Sequence, residues 1–431
     1  MRLALVVQRY GLEIRGGAEL HCRLIGEHLA ARHQVEVVTT CAEDYLTWAN
    51  AYPAGLDCVN DIPVWRFPVR RARDLERFGR LQERVFFRAH EEREAHAWLD
   101  EQGPYSPAMR DWIGRYRESF DYWICFSYRY WTTYHAMSAA TGRAVLVPTA
   151  EPDPAIDLPI FHPVFRGARA IVFNSHEERD MIVEKSGAEG VAGDVVGVGI
   201  LEPPAAGARS PGFRRNSDGA RFRRATGIDG PFILYVGRID ANKGCRQLFD
   251  YHARAVERFV ERGASPPLLV LAGQAVLEIP DHPLIRHLGA IDEQQKFDAL
   301  AAASLLVMPS FYESLSMVLL EAWALGRPVL VNAHCAVLRG QVERSGGGLY
   351  YADGEEFAAA LMLLLADERL RATCGDGGRR YFDDNYRWPV IEHKYERILE
   401  ALAAEEGRPV PDQATPAKTG DAVGVSDTGN R

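Results

Sequence analysis

No run of apolar residues in this sequence approaches the roughly 18 that a membrane-spanning helix needs, so no transmembrane segment is expected. The opening MRLALVVQRY breaks its short apolar run at Gln8 and Arg9, before the apolar core and cleavage region of a secretory signal are reached. Cysteine is sparse: seven residues (Cys22, Cys41, Cys58, Cys125, Cys245, Cys335 and Cys374), none in CxxC spacing. An odd, dispersed set excludes a disulfide framework or a zinc site and points to reduced thiols in the cytoplasm. The chain also lacks the basic excess of a nucleic-acid binder, since its formal net charge of −9 repels a phosphate backbone. Any membrane contact must therefore be peripheral.

What is present is ordinary for a globular protein: 431 residues, 47% hydrophobic and 25% charged, enough for two or three domains. LALVV, the loop QRYGLEIRGG, a helical pattern from Ala18 to about Arg32 and QVEVVTT give strand, loop, helix, strand. That order begins a parallel α/β sheet, and it resumes at YWICFSY, RAVLVPT and ARAIVFN. It starts afresh at FILYVGRID, followed by a helix from Gln247 to Arg262, then LLVLAG, LLVMPS, a further helix and PVLVN. The Gly-, Pro- and Arg-rich stretch between the two blocks reads as a hinge. The expected division is therefore 1–200, a linker at 201–227, and 228–385. An amphipathic helix at 386–403 follows, and the polar tail 404–431 has too few large apolar groups to pack. VVGVGIL is no dinucleotide fingerprint, because LEPPAAG follows where a helix with a third glycine is required.

Residues 69–98 differ in kind: Arg73, Arg77, Arg80, Arg84 and Arg88 recur at helical spacing beside Leu75, Phe78, Leu81 and Val85. One reading is a solvated helical face laced with i,i+4 ion pairs. The other is a peripheral surface that approaches anionic lipid or a lipid-linked acceptor, diluted by Glu76, Glu83, Glu91, Glu92 and Glu94.

The stretch SFYESLSMVLLEAWALGRPVL holds two glutamates that conflict with their surroundings, Glu313 and Glu321. Ser316 as N-cap, Gly326 past the end and Pro328 beyond it predict a helix from Met317 to Leu325. Burying Glu321 in so apolar a helix costs several kcal/mol unless something holds it. The free N–H groups behind Ser316 and Met317 favour an anionic phosphate. Carboxylates beside a phosphate need neutral donors, and sugar hydroxyls are such donors. A phosphate with sugars on both sides fits, as in a nucleotide sugar. Alternatively, Glu321 is the buried partner of an arginine or of backbone N–H groups, and Glu313 an ordinary loop charge. YVGRIDANKG places Arg238 and Lys243 directly after a strand, where a parallel sheet presents its crevice and two cations could neutralise a departing diphosphate. Gly16 and Gly17 open a helix in the first block, where backbone can approach phosphate closely.

VGRIDANKG, the Glu-x7-Glu segment ESLSMVLLE with AWALGRPVL, and HLGAIDEQQKFDALAAASLLVMPS, in this order, resemble the retaining glycosyltransferases of family 4, glycosyl transferases group 1. The resemblance covers roughly residues 1–403. It implies a GT-B fold, with two Rossmann-like domains facing each other across a cleft and a C-terminal helix crossing back to the first. It implies that Glu313 contacts the donor sugar, Glu321 the ribose, and Arg238 and Lys243 the diphosphate, faced by the Gly16–Gly17 loop. Ser316 and Met317 complete the donor-binding set.

The implied activity is transfer of a hexose from a nucleotide-sugar donor to a saccharide or lipid-linked acceptor, in cell-surface polysaccharide or glycoconjugate synthesis. One residue departs from the pattern: where members commonly carry a histidine, PTAEPDPAID has Glu151. Glu151 can accept a sugar hydroxyl, and it motivates one alternative, a silent binding paralogue; the other alternative is an epimerase or hydrolase on the same fold. Glu151 with Asp153 would also suit a divalent metal, but Arg238 and Lys243 already supply positive charge, so neither metal nor other cofactor is expected.

Overall fold

The computed structural model describes residues 1–14, 16–201 and 216–407. Continuous runs of Val, Ile and Leu suit parallel strands covered on both faces, and the strands among the described residues form two sheets. The first runs, in spatial order, Gly55–Val59, Ile62–Phe67, Gln34–Thr40, Arg2–Val6, Tyr122–Phe126, Ala144–Val147, Ala170–Phe173 and Gly193–Val195. All its pairings are parallel except that between Gly55–Val59 and Ile62–Phe67. The second runs Ile285–His287, Leu268–Ala272, Phe232–Val236, Leu305–Met308, Val329–Asn332 and Gly348–Tyr351, parallel throughout. Each is a doubly wound α/β sheet whose strand order reverses once, between Arg2–Val6 and Tyr122–Phe126 in the first and between Phe232–Val236 and Leu305–Met308 in the second. Such reversals open a crevice at the carboxyl ends of the strands.

The chain returns to the first domain through the helix Trp388–Glu405, which buries Ile391, Tyr395, Leu399 and Leu402. Trp388 stacks on His28 with ring centroids 3.5 Å apart and donates its indole N–H to the Ile200 carbonyl at 2.8 Å. His28 and His33 meet Glu392 and Glu396 at 2.6 and 2.9 Å. The glycines of VVGVGIL make this docking possible. A Cβ on Gly199 would lie 2.5 Å from the Trp388 ring, and one on Gly197, at φ +75°, would lie 2.7 Å from Tyr386.

The linker expected at 201–227 is corrected at its far end. Gly219–Thr226 is a helix capped by Asp218 and tied to the second domain by Arg221–Asp298 at 2.6 Å. Residues 202–215 and the tail beyond 407 lie outside the described residues. The 69–98 segment forms two helices, Leu75–Phe87 and Glu92–Gln102. Its apolar stripe packs inward through Val85, Phe78 and Leu81. Arg80 meets Glu76, Arg84 meets Glu94 at 3.0 Å and Arg88 meets Glu83 at 2.5 Å, whereas Arg73 leaves the solvated face: it is buried and donates to the Glu101 backbone carbonyl at 3.0 Å.

Candidate active site

The two reversal points face each other, and a cleft of about 860 Å³ lies between them, within the range of small-molecule sites. Gln8, Arg9, Gly16 and Gly17 enter it after the strand Arg2–Val6, and Ser127 to Tyr130 after Tyr122–Phe126. Thr149, Glu151 and Asp153 follow Ala144–Val147, and Asn174 follows Ala170–Phe173. From the second domain come Gly237, Arg238 and Lys243 after Phe232–Val236, and Ser310 with residues 312–318 after Leu305–Met308. Ser127 and Thr149 hold left-handed backbone at φ 65° and 47°, uncommon for residues with a side chain, and their hydroxyls bond each other at 2.7 Å.

Lys243 donates to Glu313 at 2.9 Å, bringing the expected diphosphate cation and the expected sugar carboxylate into contact. Asp240 organises both cations, because it pairs with Arg238 and accepts the Lys243 backbone N–H at 2.9 Å. Gly244, next in sequence, is left-handed at φ +72°, and any Cβ there would come within 2.1 Å of the Pro309 carbonyl. The lysine loop can therefore press against the loop that carries Glu313. Burial pulls the Lys243 ammonium down, but Glu313 and Glu151 outweigh it and hold it above its ordinary value.

Across the cleft, Glu151 makes no side-chain hydrogen bond or ion pair among the described residues. Burial pushes its carboxyl up to about 7, Glu313 and Asp153 add to that, and Lys243 and Arg129 oppose it. Asp153 is engaged elsewhere: it pairs with Arg129 and accepts the Ala155 N–H at 2.9 Å, capping a short turn.

Ser316 caps the helix Met317–Ala324 by accepting the Leu319 N–H at 3.3 Å, and Ser316 and Met317 both line the cleft. Glu321 does not line it. Its Oε1 accepts from Lys296 at 2.7 Å, and Lys296 also meets Glu293 at 2.8 Å. The buried carboxylate is thus held by a lysine, where the sequence suggested an arginine or backbone. Burial pushes Glu321 up to about 7 against the pull of Lys296. Gly16 caps the helix Gly17–Leu29 without a side chain, and Glu19 in its first turn is neutralised by Arg9 at 2.6 Å.

Asp240, Lys296, Arg129 and Asn174 escaped the reading of the sequence. Asp240 had a signal, its place inside GRIDANKG; the other three become neighbours of the site only through the fold.

A family model described as Glycosyl transferases group 1 matches residues 230–367. The chain is 29% identical over 296 residues to a D-inositol 3-phosphate glycosyltransferase of Kribbella flavida, covering 63% of this chain and 66% of that one. It is 30% identical over 186 residues to a phosphatidyl-myo-inositol mannosyltransferase of Mycolicibacterium smegmatis, covering 41% and 46%. The chain therefore spans just under two thirds of the first of these relatives and under half of the second. Among solved structures, sucrose-phosphate synthase of Thermosynechococcus elongatus superposes with TM-score 0.64 at 17% identity, over 94% of this chain and 99% of that one. Anabaena HepE in complex with UDP and glucose gives 0.64 at 16%, over 93% and 100%. At such identities the likeness shows the fold, which is GT-B, and residues 230–367 carry the group 1 domain within it.

Proposed function

We propose that this chain, a group 1 glycosyl transferase domain set in a GT-B fold, is a retaining hexosyltransferase that uses a nucleotide-sugar donor and a saccharide or lipid-linked acceptor. The observation that carries this reading is the meeting of Lys243 and Glu313 at 2.9 Å, opposite Glu151, where the reversal points of the two sheets face each other. The donor diphosphate would lie against Arg238, Lys243 and the N–H groups beginning at Met317. Sugar hydroxyls would reach Glu313 and Glu151, which both line the cleft. In transfer the bond from sugar C1 to the diphosphate oxygen breaks, the acceptor oxygen bonds C1, and the acceptor proton leaves. The two cations stabilise the charge that develops on the diphosphate, so the reaction is assigned no metal. Retention is carried over from the resemblance to family 4.

The named relatives support the reaction class: one is a glycosyltransferase, one a mannosyltransferase. Among the described residues no helix is long and apolar enough to cross a membrane. The paired Arg80, Arg84 and Arg88 favour a solvated face over a lipid contact. We place the protein in the cytoplasm, acting in glycoconjugate synthesis.

Glu151 favours a second reading. A carboxyl in the cleft near neutrality could activate water, making the protein a nucleotide-sugar hydrolase. Thermal-shift screening against UDP-, GDP-, ADP- and TDP-sugars, then incubation with the stabilising donor in labelled form, separates these readings. Labelled glycan on an added acceptor supports transfer, free sugar alone supports the hydrolase, and no stabilisation by any donor rejects both.

A further inference from the structure

Glu178 is a buried carboxylate that the chemistry above does not use. It lies in the first turn of the helix His176–Ser186, where the N-cap Ser175 accepts its N–H at 3.1 Å. A glutamate at this place normally turns back to the N-H of the cap residue. Glu178 instead spans two strand ends. Its Oε1 accepts the Ala150 N–H at 2.5 Å and the Asn174 side-chain amide at 3.2 Å, while Oε2 accepts the Asn174 backbone N–H at 2.5 Å. Ala150 and Asn174 follow the paired parallel strands Ala144–Val147 and Ala170–Phe173.

Both tied residues bear on the cleft. Ala150 directly precedes Glu151, and Asn174 lines the cleft with its Oδ1 buried and without a partner. By binding the NH2 side of the Asn174 amide, Glu178 decides that the oxygen is the atom left over. The next residue toward the helix start, Glu177, reaches the second domain through Arg344 at 2.6 Å.

We infer that Glu178 is a positioning residue, which fixes the backbone carrying Glu151 and presents the Asn174 oxygen to a ligand hydroxyl. Two short bonds to backbone N–H groups orient the loop more firmly than packing alone. Burial pushes Glu178 up to about 8, the N–H donors pull it down, and Glu151 adds to the rise. The charged groups facing Glu151 are then Lys243, Glu313, Arg129, Asp153 and Glu178.

The kinetic consequences rest on the transferase reading. In Glu178→Gln, turnover should fall roughly a hundredfold, as for a displaced reacting group. Affinity for the nucleoside diphosphate, held by the other domain, should change by less than about twofold. Glu178→Asp keeps the carboxyl but shortens the reach, so it should lose turnover in the same way, and it serves if the glutamine variant does not fold. Wild-type turnover in either variant, or a nucleoside diphosphate affinity that falls along with turnover, overturns the role. If the wild type turns over no nucleotide sugar, the transferase reading has failed by itself, and a double-mutant cycle decides. At pH 9 the melting-temperature changes of Glu178→Gln and Glu151→Gln should be non-additive, whereas additive changes overturn the placement.

Discussion

Glu178 and Glu321 are buried and Glu151 is half-buried in the cleft wall, with carboxyls pushed up to about 8, 7 and 7. A carboxyl raised from an ordinary 4.5 binds its proton more tightly folded than unfolded. Its stabilisation is complete below that ordinary value and is lost as pH rises through the folded value. Thermal unfolding should therefore show a stability loss between about pH 5 and pH 8, and Glu321→Gln should flatten it. An unchanged slope in that variant would show that Glu321 is already ionised and paired across the whole range. Glu151→Ala should strongly reduce transfer in the labelled-donor assay, with Glu151→His retaining part of it; wild-type transfer in Glu151→Ala would remove Glu151 from the chemistry. That Glu321 is misplaced in so apolar a helix could be read from sequence. Its partner could not, because Lys296 lies 25 residues upstream on a separate helix and only packing brings the two together.

The helix Trp388–Glu405 holds the domains together, and Trp388 is its anchor. Trp388→Ala removes the His28 stack and the Ile200 hydrogen bond, and leaves the space over Gly199 empty. A loss on the order of 3 kcal/mol in urea unfolding is expected, and a loss under about 1 kcal/mol would mean that the helix docks by its aliphatic face alone. This helix and the strands bounding the cleft were legible because their apolar periods are long and unambiguous. The hairpin Gly55–Val59 and Ile62–Phe67 was not. Leu56, Asp57 and Cys58 are all exposed, and the turn uses Asn60–Asp61, both left-handed, in place of a glycine. The helix Gly219–Thr226 was hidden by a composition typical of linkers, and it owes its order to the distant partner Asp298.

Two doubly wound sheets place their reversal points opposite each other, and this arrangement joins a lysine of one domain to the field of a glutamate of the other. Motif order in the sequence implied such a cleft, but the closeness of Glu151 to Lys243 and Glu313 depends on how the domains are docked. The proposed function requires that this cleft bind the diphosphate of a nucleotide through Lys243. Isothermal titration of UDP, GDP, ADP and TDP against the wild type and Lys243→Ala tests it most directly. At least one nucleotide should bind the wild type at one site per chain, and Lys243→Ala should bind it at least about tenfold more weakly while melting as a folded protein. Equal affinity in the two proteins, or no binding of any of the four to the wild type, would contradict it.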